Sequence, residues 1–339
     1  MAYVVRVIAI AALAGACTVQ PGAGTSATSA NTVGTATVDP TSGDDDGETT
    51  VSSTVADGSA DTTAADKLDV GTSPGSGCEY VDMLFVIDNS ASMETYQQAL
   101  ADQFPAFVDA MFEELPAGIG VHVGITTTEF DAGCEAAETT GNCQSTASID
   151  EVQMHYVPPT DGNDGGNGSQ GRLFQWSGQQ FFEANTDDDP AALSTWFSGA
   201  ATAAGENGCS FEMPVAAAGW STHLANAVTN DGFVRDEGGL LVVFFLTDEP
   251  DMSPEATSVY TDMILAAKAE CGGAECVFVS GLVPPCVADI NQKLWQFMTS
   301  FGDDDPPRGD IVDTASYDEV VGAALAGAVA EACANIPVG

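Results

Sequence analysis

Two acidic residues stand at the ends of strongly apolar stretches in this chain. Asp88 ends the stretch VDMLFVID, and Ser90 and Ser92 follow it at alternate positions. Asp248 ends a second apolar stretch, LLVVFFLTD. Carboxylate and hydroxyl oxygens are hard donors, so this combination suits Mg²⁺, Ca²⁺ or Mn²⁺ better than a soft metal. We expect the side chains of Asp88, Ser90 and Ser92 to surround one point.

Strands and helices alternate around these residues. Continuous apolar runs predict buried strands, and apolar residues at helical spacing predict helices. The predicted strands are 81–88, 118–128, 240–248, 276–283 and 310–316. The predicted helices are 93–115, 258–271, 288–302 and 317–333. This order predicts an α/β fold with an open, mostly parallel central sheet and helices on both faces. Ligands bind such sheets beyond the carboxyl ends of the strands, where both acids fall.

Three local features are harder to place. Pro105 lies inside the first predicted helix and predicts a kink or a break there. The stretch EVQMHYV at 151–157 reads as an edge strand. The Gly- and Asn-rich segment 160–171 has oxygen donors, but their spacing fits no calcium loop, so we interpret it as a flexible insertion.

The N-terminus has the pattern of an export signal. Residues 1–17 contain Arg6, then an apolar run too short to span a membrane, then small residues ending in Cys17. The segment resembles a bacterial lipobox, in which the cysteine is lipidated; an ordinary signal peptide is the alternative. Thr18 follows the cysteine instead of Asp, which by resemblance indicates the outer membrane of a Gram-negative bacterium. Cell surface and periplasm are the other locations considered.

Residues 18–77 form a second, distinct region. They contain no Phe, Trp or Tyr and are rich in Thr, Ser, Gly, Ala and Asp. Such a segment cannot bury enough apolar surface to fold. We interpret it as a disordered linker between the anchor and a folded domain at 78–339.

Cysteine usage agrees with export. Eight cysteines remain after Cys17, and an even number in an exported protein predicts up to four disulfides. Two pairs are close in sequence and easily bridged, Cys134 with Cys143 and Cys271 with Cys276, while the other four can pair in three ways. The candidates are Cys78, Cys134, Cys143, Cys209, Cys271, Cys276, Cys286 and Cys333.

The charge balance excludes whole classes of partner. The chain has seven Lys and Arg against 50 Asp and Glu, a net charge of −43. Such a surface repels polyanions, so we expect no nucleic-acid binding and no attraction to anionic lipid. Contact with a membrane would be through a lipid anchor only.

Two motifs resemble those of von Willebrand factor type A domains. Asp88-Asn89-Ser90-Ala91-Ser92 matches the family's D-x-S-x-S motif, and Leu246-Thr247-Asp248-Glu249-Pro250-Asp251 resembles its T-D-G-x-P motif. The resemblance covers residues 78–335 and implies the family's Rossmann-like fold and its metal-ion-dependent adhesion site. Ser90 and Ser92 would then coordinate the ion directly, and Asp88 and Asp248 would hold it directly or through water. The implied cofactor is a divalent cation, Mg²⁺ first, with Ca²⁺ or Mn²⁺ as alternatives.

One family ligand is missing. The family supplies a Thr from a loop before its third helix, and the corresponding segment 205–212 has none. Ser210 or Glu212 could replace it, with Glu206 as a further candidate. A Glu at this place would lower the net charge of the ion and weaken its attraction for an acidic partner.

Together these features predict a membrane-anchored, exported domain that binds a divalent cation. Through the ion it would adhere to a protein or matrix ligand that offers an acidic residue. The alternative is a metal-free structural or assembly domain of a cell-envelope complex. A metal-dependent hydrolase is a third, disfavoured reading, because no general base is placed near the metal residues; we expect no enzyme activity.

Overall fold

Six strands form the central sheet of the domain. The computed structural model describes residues 77–131, 139–140, 144–145, 147–317 and 320–336. The strands are β1 (Tyr80–Ile87), β2 (Gly120–Thr127), β3 (Thr139–Thr140), β4 (Gln144–Ser145), β5 (Phe181–Asn185), β6 (Gly239–Leu246), β7 (Val277–Val283) and β8 (Arg308–Asp310). Strands β3 and β4 pair only with each other, and the other six make the main sheet.

The main sheet is open and mostly parallel, so the predicted fold class is confirmed. Its strand order is β5-β2-β1-β6-β7-β8. Every neighbouring pair is parallel except β2 with β5, which is antiparallel. The central strands are almost entirely apolar because helices cover both of their faces. The antiparallel edge strand β5 was not predicted.

Eight α-helices accompany the sheet in the part of the chain that the structure describes. They are α1 (Glu94–Glu114), α2 (Ile149–Met154), α3 (Pro190–Ala203), α4 (Pro214–Ser221), α5 (Ala227–Asn230), α6 (Thr257–Ala267), α7 (Lys293–Met298) and α8 (Leu325–Ala334). A π-helical turn, Val320–Ala324, precedes α8. None of these helices is both long and apolar enough to cross a membrane.

The two faces of the sheet carry separate hydrophobic cores. On β1, Val81, Met83, Phe85 and Ile87 pack with α1, α3 and α8. The alternate residues of the same strand point into a second core with α4, α6 and α7. This alternation follows from the two-residue period of a strand, and it explains why no polar residue interrupts the strand between Asp82 and Asp88.

Helix α1 passes through Pro105 without a break, so the predicted break is wrong. Proline has no N–H, and the carbonyl of Ala101 therefore loses its donor within the helix. The hydroxyl of Ser198, on α3, donates to that carbonyl over 2.9 Å. A tertiary hydrogen bond thus replaces the one that proline removes.

The prediction of an edge strand at 151–157 is also wrong. Helix α2 occupies most of this stretch, and Ser148 with Glu151 forms a capping box at its start. The Ser148 side chain accepts from the Glu151 N–H, while the Glu151 carboxylate accepts from the Ser148 N–H. This reciprocal pair satisfies two backbone donors and starts the helix.

A side-chain cation holds the Gly- and Asn-rich segment 160–171. The guanidinium of Arg172 donates to the carbonyl oxygens of Ser169 and Asp164 and to the Ser169 hydroxyl. From the other side, the Asn226 amide donates to the Gln170 carbonyl over 2.8 Å. These bonds tie the segment down, contrary to its interpretation as a flexible insertion.

Two predicted elements near the C-terminus are shorter than expected. The strand predicted at 310–316 ends at Asp310 in β8, and a 3₁₀ turn at 314–316 follows. The helix predicted at 288–302 is helical only from Lys293.

Helix α3 was not predicted, although Asp189 caps it and Pro190 occupies its first turn.

Disulfides join the ends of the domain and a local turn. Cys78 pairs with Cys333, which links the start of β1 to α8 across 255 residues. Cys271 pairs with Cys276, as predicted. Cys209 and Cys286 are disulfide-bonded as well. Cys17, residues 18–76 of the linker, Cys134 and Cys143 lie outside the residues described.

Candidate metal-ion site

The two acidic strand ends lie side by side in the sheet. Strands β1 and β6 are parallel neighbours, and Ile87 is opposite Leu246 in their register. One more hydrogen bond continues the pairing, from the Asp88 N–H to the Leu246 carbonyl over 2.8 Å. The next residues, Asp88 and Thr247, therefore emerge together at the carboxyl edge.

The Asp88 carboxylate is completely buried and held at both oxygens. Its Oδ1 accepts from the backbone N–H of Ser90 over 2.8 Å. Its Oδ2 accepts from the hydroxyl of Thr247 over 2.8 Å. These two bonds fix the carboxylate at the base of the group.

A chain of side-chain oxygens connects the two strand ends. The hydroxyls of Ser90 and Ser92 lie 3.1 Å apart. The Ser92 hydroxyl donates to Oδ1 of Asp248 over 3.1 Å. Ser90 is buried, Asp248 is half-buried and Ser92 is exposed, so the group opens to solvent on the Ser92 side. The structure thus brings together the four residues that the two motifs contribute.

The segment without the family's Thr packs directly on this group. The Gly208 N–H donates to the Asn89 carbonyl over 2.8 Å, and a Cβ at Gly208 would lie 2.5 Å from the Asn89 side chain. The buried amide of Gln97 donates to the Asp88 carbonyl over 2.9 Å and to the Gly205 carbonyl over 2.8 Å. One side chain of α1 therefore joins the strand end to this segment.

Of the three residues considered as replacements for the Thr, Glu212 is the buried one. Ser210 and Glu206 are partly exposed, whereas Glu212 has no exposed surface. One carboxylate oxygen of Glu212, Oε2, accepts from the Thr128 hydroxyl at the end of β2. The other, Oε1, has no hydrogen-bond partner within the described part of the chain.

Burial and like charges make these carboxyls poor acids. Burial, reinforced by the neighbouring Asp248, raises the pKa of Asp88 to about 6. Burial, followed by the charge of Asp88, raises the pKa of Glu212 well above its ordinary value. Burial also raises the pKa of Asp248 and of Glu129. The edge therefore concentrates carboxyl groups whose ionised forms cost free energy without a cation.

The sequence did not identify three residues that position this group. Gln97, Thr247 and Thr128 are buried polar residues whose hydrogen bonds hold Asp88 or Glu212. Thr247 lies inside the second motif, so that motif was the available signal. Gln97 and Thr128 carry no sequence signal, since their role depends on which segments meet in the fold.

The last acid of the second motif has a structural role. Asp251 accepts from the Val215 N–H over 3.0 Å and from the Ser253 hydroxyl over 2.7 Å. It therefore satisfies a free donor in the first turn of α4. We assign it to the start of this helix and not to the candidate metal-ion site.

Within the described ranges of the chain, acidic and histidine side chains alone do not build a metal centre. Among the residues described, no group of three or more His, Cys, Asp or Glu is arranged to hold a metal ion. The group at the strand ends differs because two of its four donors are hydroxyls. A cation bound by this group would depend on Ser90 and Ser92 as much as on the two carboxylates.

Comparison with solved structures finds likenesses at low sequence identity. The chain is similar to a von Willebrand factor type A protein from Catenulispora acidiphila, with 14% identity and a TM-score of 0.35 over 74% of this chain and 42% of that one. It is similar to proximal thread matrix protein 1 from the mussel byssus, with 11% identity and a TM-score of 0.37 over 74% of this chain and 49% of that one. This chain thus spans less than half the length of each. No protein-family model and no curated protein matches the sequence.

Proposed function

We propose that this protein binds a divalent cation at the carboxyl edge of its sheet and uses that edge to bind another protein or a matrix component. The oxygen spacing carries the proposal. In an octahedron, adjacent ligand oxygens are separated by √2 times the metal–oxygen distance, which is about 3 Å for Mg²⁺ at about 2.1 Å. The spacings Ser90–Ser92 and Ser92–Asp248 are both 3.1 Å.

The donor set fits a hard cation. Ser90, Ser92, Asp88 and Asp248 offer only oxygens, and burial raises the pKa of both acids, so their ionised forms are destabilised without a cation. A bound divalent cation would supply positive charge to this edge and favour the ionised carboxyls. Mg²⁺ is the expected ion, with Ca²⁺ and Mn²⁺ as alternatives.

The position of the group suits recognition of a partner. Ser92 and the adjacent Ala91 are exposed, so a ligand can approach the strand ends from solvent. The donors come from loops at the edge of a rigid sheet, which is where binding residues concentrate in α/β proteins. We therefore propose adhesion to a protein or matrix ligand.

We further propose that the domain is exported and tethered to an envelope membrane. The support is the signal-like segment 1–17 with Cys17, the linker 18–77 and the disulfides of the domain, since disulfides persist in oxidising compartments. Anchored in this way, in the outer membrane or at the cell surface, the site would be carried clear of the membrane.

We propose binding rather than catalysis because the histidines are engaged elsewhere. His122 bonds to the Phe233 carbonyl over 2.8 Å, His223 accepts from the Ala225 N–H, and His155 bonds to Asp131. The competing function is a metal-free assembly domain. In that case the motif would have a structural role only: the hydrogen bonds from Ser90 and Thr247 would hold the Asp88 carboxylate in place.

Calorimetric titration separates these two functions. Mg²⁺, Ca²⁺ and Mn²⁺ are titrated into the wild-type chain and into Ser90→Ala/Ser92→Ala, with the exposed Ser300→Ala as the control. The acidic surface binds cations loosely in all three, so the difference between them is decisive. One tighter site that is lost only in the double variant supports the proposal. Superimposable titrations would establish the metal-free alternative.

A further inference from the structure

A cavity lies beside β8, the short edge strand of the main sheet. It encloses about 430 Å³, and all three residues of β8 line it. It also reaches Val283, the last residue of β7, and four prolines that follow β7 or precede β8, which are Pro284, Pro285, Pro306 and Pro307. We name this cavity the proline pocket. Its size is within the range of about 300–1,000 Å³ that ligand-binding clefts of proteins occupy.

The proline pocket lies close to the candidate metal-ion site. Leu246 of β6 is opposite Leu282 of β7, and the next residue of β7, Val283, is opposite Asp310 of β8. Thr247, Val283 and Asp310 are therefore in one row at the carboxyl edge. Two strand spacings of about 4.8 Å each place Asp310 roughly 10 Å from Thr247.

The electrostatics of Tyr96 agree with this distance. Tyr96 is on α1, and burial, followed by the charges of Asp248 and Asp310, raises the pKa of its phenol. One side chain is thus within electrostatic reach of an acid of the candidate site and of an acid of the proline pocket. A partner that covers Tyr96 would contact both places.

The proline walls of the pocket are rigid and apolar. Proline has no N–H, and the carbonyl of each of the four prolines accepts a hydrogen bond within the domain. The donors are the N–H groups of Val287 and Ala288, the Arg308 guanidinium and the Ser280 hydroxyl. Recognition of a polar ligand is therefore left to the charged side chains of the pocket.

Of the three charged residues that line the pocket, two neutralise each other. Arg308 pairs with Asp305 over 2.7 Å, and its guanidinium lies 4.4 Å from the centre of the Trp295 ring. Oδ1 of Asp310 accepts from the Val312 N–H over 3.0 Å, and no Lys or Arg within the described ranges forms an ion pair with Asp310. Asp310 is partly exposed, so solvent supports its negative charge. The pocket thus combines apolar walls with one carboxylate that no cation of the domain balances.

We propose that the proline pocket receives a Lys or Arg side chain of the partner that the carboxyl edge binds. This inference rests on the proposed function and adds a second contact to it. The aliphatic stem of such a side chain packs on the proline rings, and its charged end pairs with Asp310. The partner would then combine an acidic residue for the cation with a basic residue about 10 Å away. A basic surface around that acid also suits the net charge of −43 of this chain.

Titration with a lysine probe tests the pocket on the full chain. Nα-acetyllysine methylamide is added at low ionic strength with a chelator present, and the amide resonances of Gly309 and Asp310 are followed by NMR. Nα-acetylnorleucine methylamide, which has the same stem without the ammonium, is the control ligand. We expect saturable shifts with the lysine probe and binding weaker by about tenfold with the norleucine probe.

Two variants assign the effect to Asp310. Asp310→Asn should lower the affinity for the lysine probe to that for the norleucine probe, because Asn keeps an acceptor for the Val312 N–H but removes the charge. Asp304→Asn, exposed in the same loop but outside the pocket lining, is the matched control and should behave as wild type. The acidic surface attracts ammonium groups everywhere, and this control accounts for that contribution.

The outcomes separate this inference from the proposed function. Because the chelator removes any cation, the titration reports on the proline pocket alone. Equal affinities for the two probes in the wild type, or wild-type affinity in Asp310→Asn, would overturn the inference, and the comparison of probes decides even if the variant does not fold. Cation titrations without a site at Ser90 and Ser92 would instead overturn the proposed function, and with it a partner that uses both places.

Discussion

The hydroxyl of Ser92 lies 3.1 Å from Oδ1 of Asp248, although 156 residues separate the two in the chain. This contact joins the two motifs into one group at the ends of β1 and β6. Asp248 also repels the buried Asp88, whose pKa it helps to raise. The same carboxylate is therefore a destabilising neighbour without a cation and, on our proposal, a ligand with one.

Replacing Asp248 with Asn should separate these two effects. Asn keeps an acceptor for Ser92 but removes the charge, so divalent-cation affinity is expected to fall about tenfold or more. The melting temperature of the metal-free chain should stay equal or rise, since the repulsion of Asp88 is gone. Calorimetry and thermal melts with a chelator measure both. Asp109→Asn, exposed on α1, is the control, and unchanged cation affinity in Asp248→Asn would count against the site.

The stability of the metal-free protein should increase at lower pH, whereas the stabilisation by a bound cation should increase at higher pH. The pKa of Asp88 is raised from 3.8 to about 6, so between these values the folded chain holds a proton that the unfolded chain releases. Acidification therefore stabilises the metal-free protein, and this stabilisation is lost as the pH rises through about 6. For Asp88 it amounts to about 3 kcal/mol at most.

Thermal melts with a chelator and with saturating Mg²⁺ test this dependence. Without metal, the melting temperature should rise as the pH falls from about 7 to about 5. With saturating Mg²⁺, the increase in melting temperature should instead be larger at the higher pH, because the cation binds the ionised carboxyls. Asp88→Asn should flatten the metal-free dependence. A metal-free profile with the same slope in Asp88→Asn would mean that other acids cause it.

The sequence predicted which four oxygen-bearing side chains lie together better than it predicted the residues that hold them in place. Asp88, Ser90, Ser92 and Asp248 were found because acids and hydroxyls at the ends of apolar strands conflict with their local surroundings, and parallel strands end at one edge. Gln97 was missed because its two acceptors lie in distant segments. A buried amide has no local pattern that distinguishes it from any other polar residue of a helix.

Local signals also explain where the secondary structure was misjudged. Val152, Met154 and Tyr156 alternate with polar residues, a pattern typical of a strand. The capping box of Ser148 and Glu151 instead starts a helix at Ile149. Pro105 was expected to interrupt α1, and only the tertiary contact from Ser198 shows why it does not. Such contacts depend on the packed fold and cannot be derived from a single segment.

Gln97 should affect cation binding as strongly as a proposed ligand does, because it holds the segments that carry the site. Gln97→Met keeps the approximate size of the side chain but leaves the carbonyls of Asp88 and Gly205 without this donor. We expect a loss of about 2–4 kcal/mol in the free energy of unfolding, together with weaker cation binding. Denaturant unfolding and calorimetry measure the two effects. The adjacent Gln98→Met is exposed and should change neither; equal behaviour of the two variants would contradict the positioning role.

The continuity of α1 makes a prediction that is independent of any metal. Ser198→Ala should cost about 1–2 kcal/mol, because the Ala101 carbonyl loses the donor that replaces the missing N–H of Pro105. In a Pro105→Ala background the restored N–H can donate to Ala101, so the same Ser198→Ala change should cost much less. A double-mutant cycle from denaturant unfolding gives the coupling between the two positions. A coupling energy near zero would show that Ser198 stabilises α3 against α1 by some other contact.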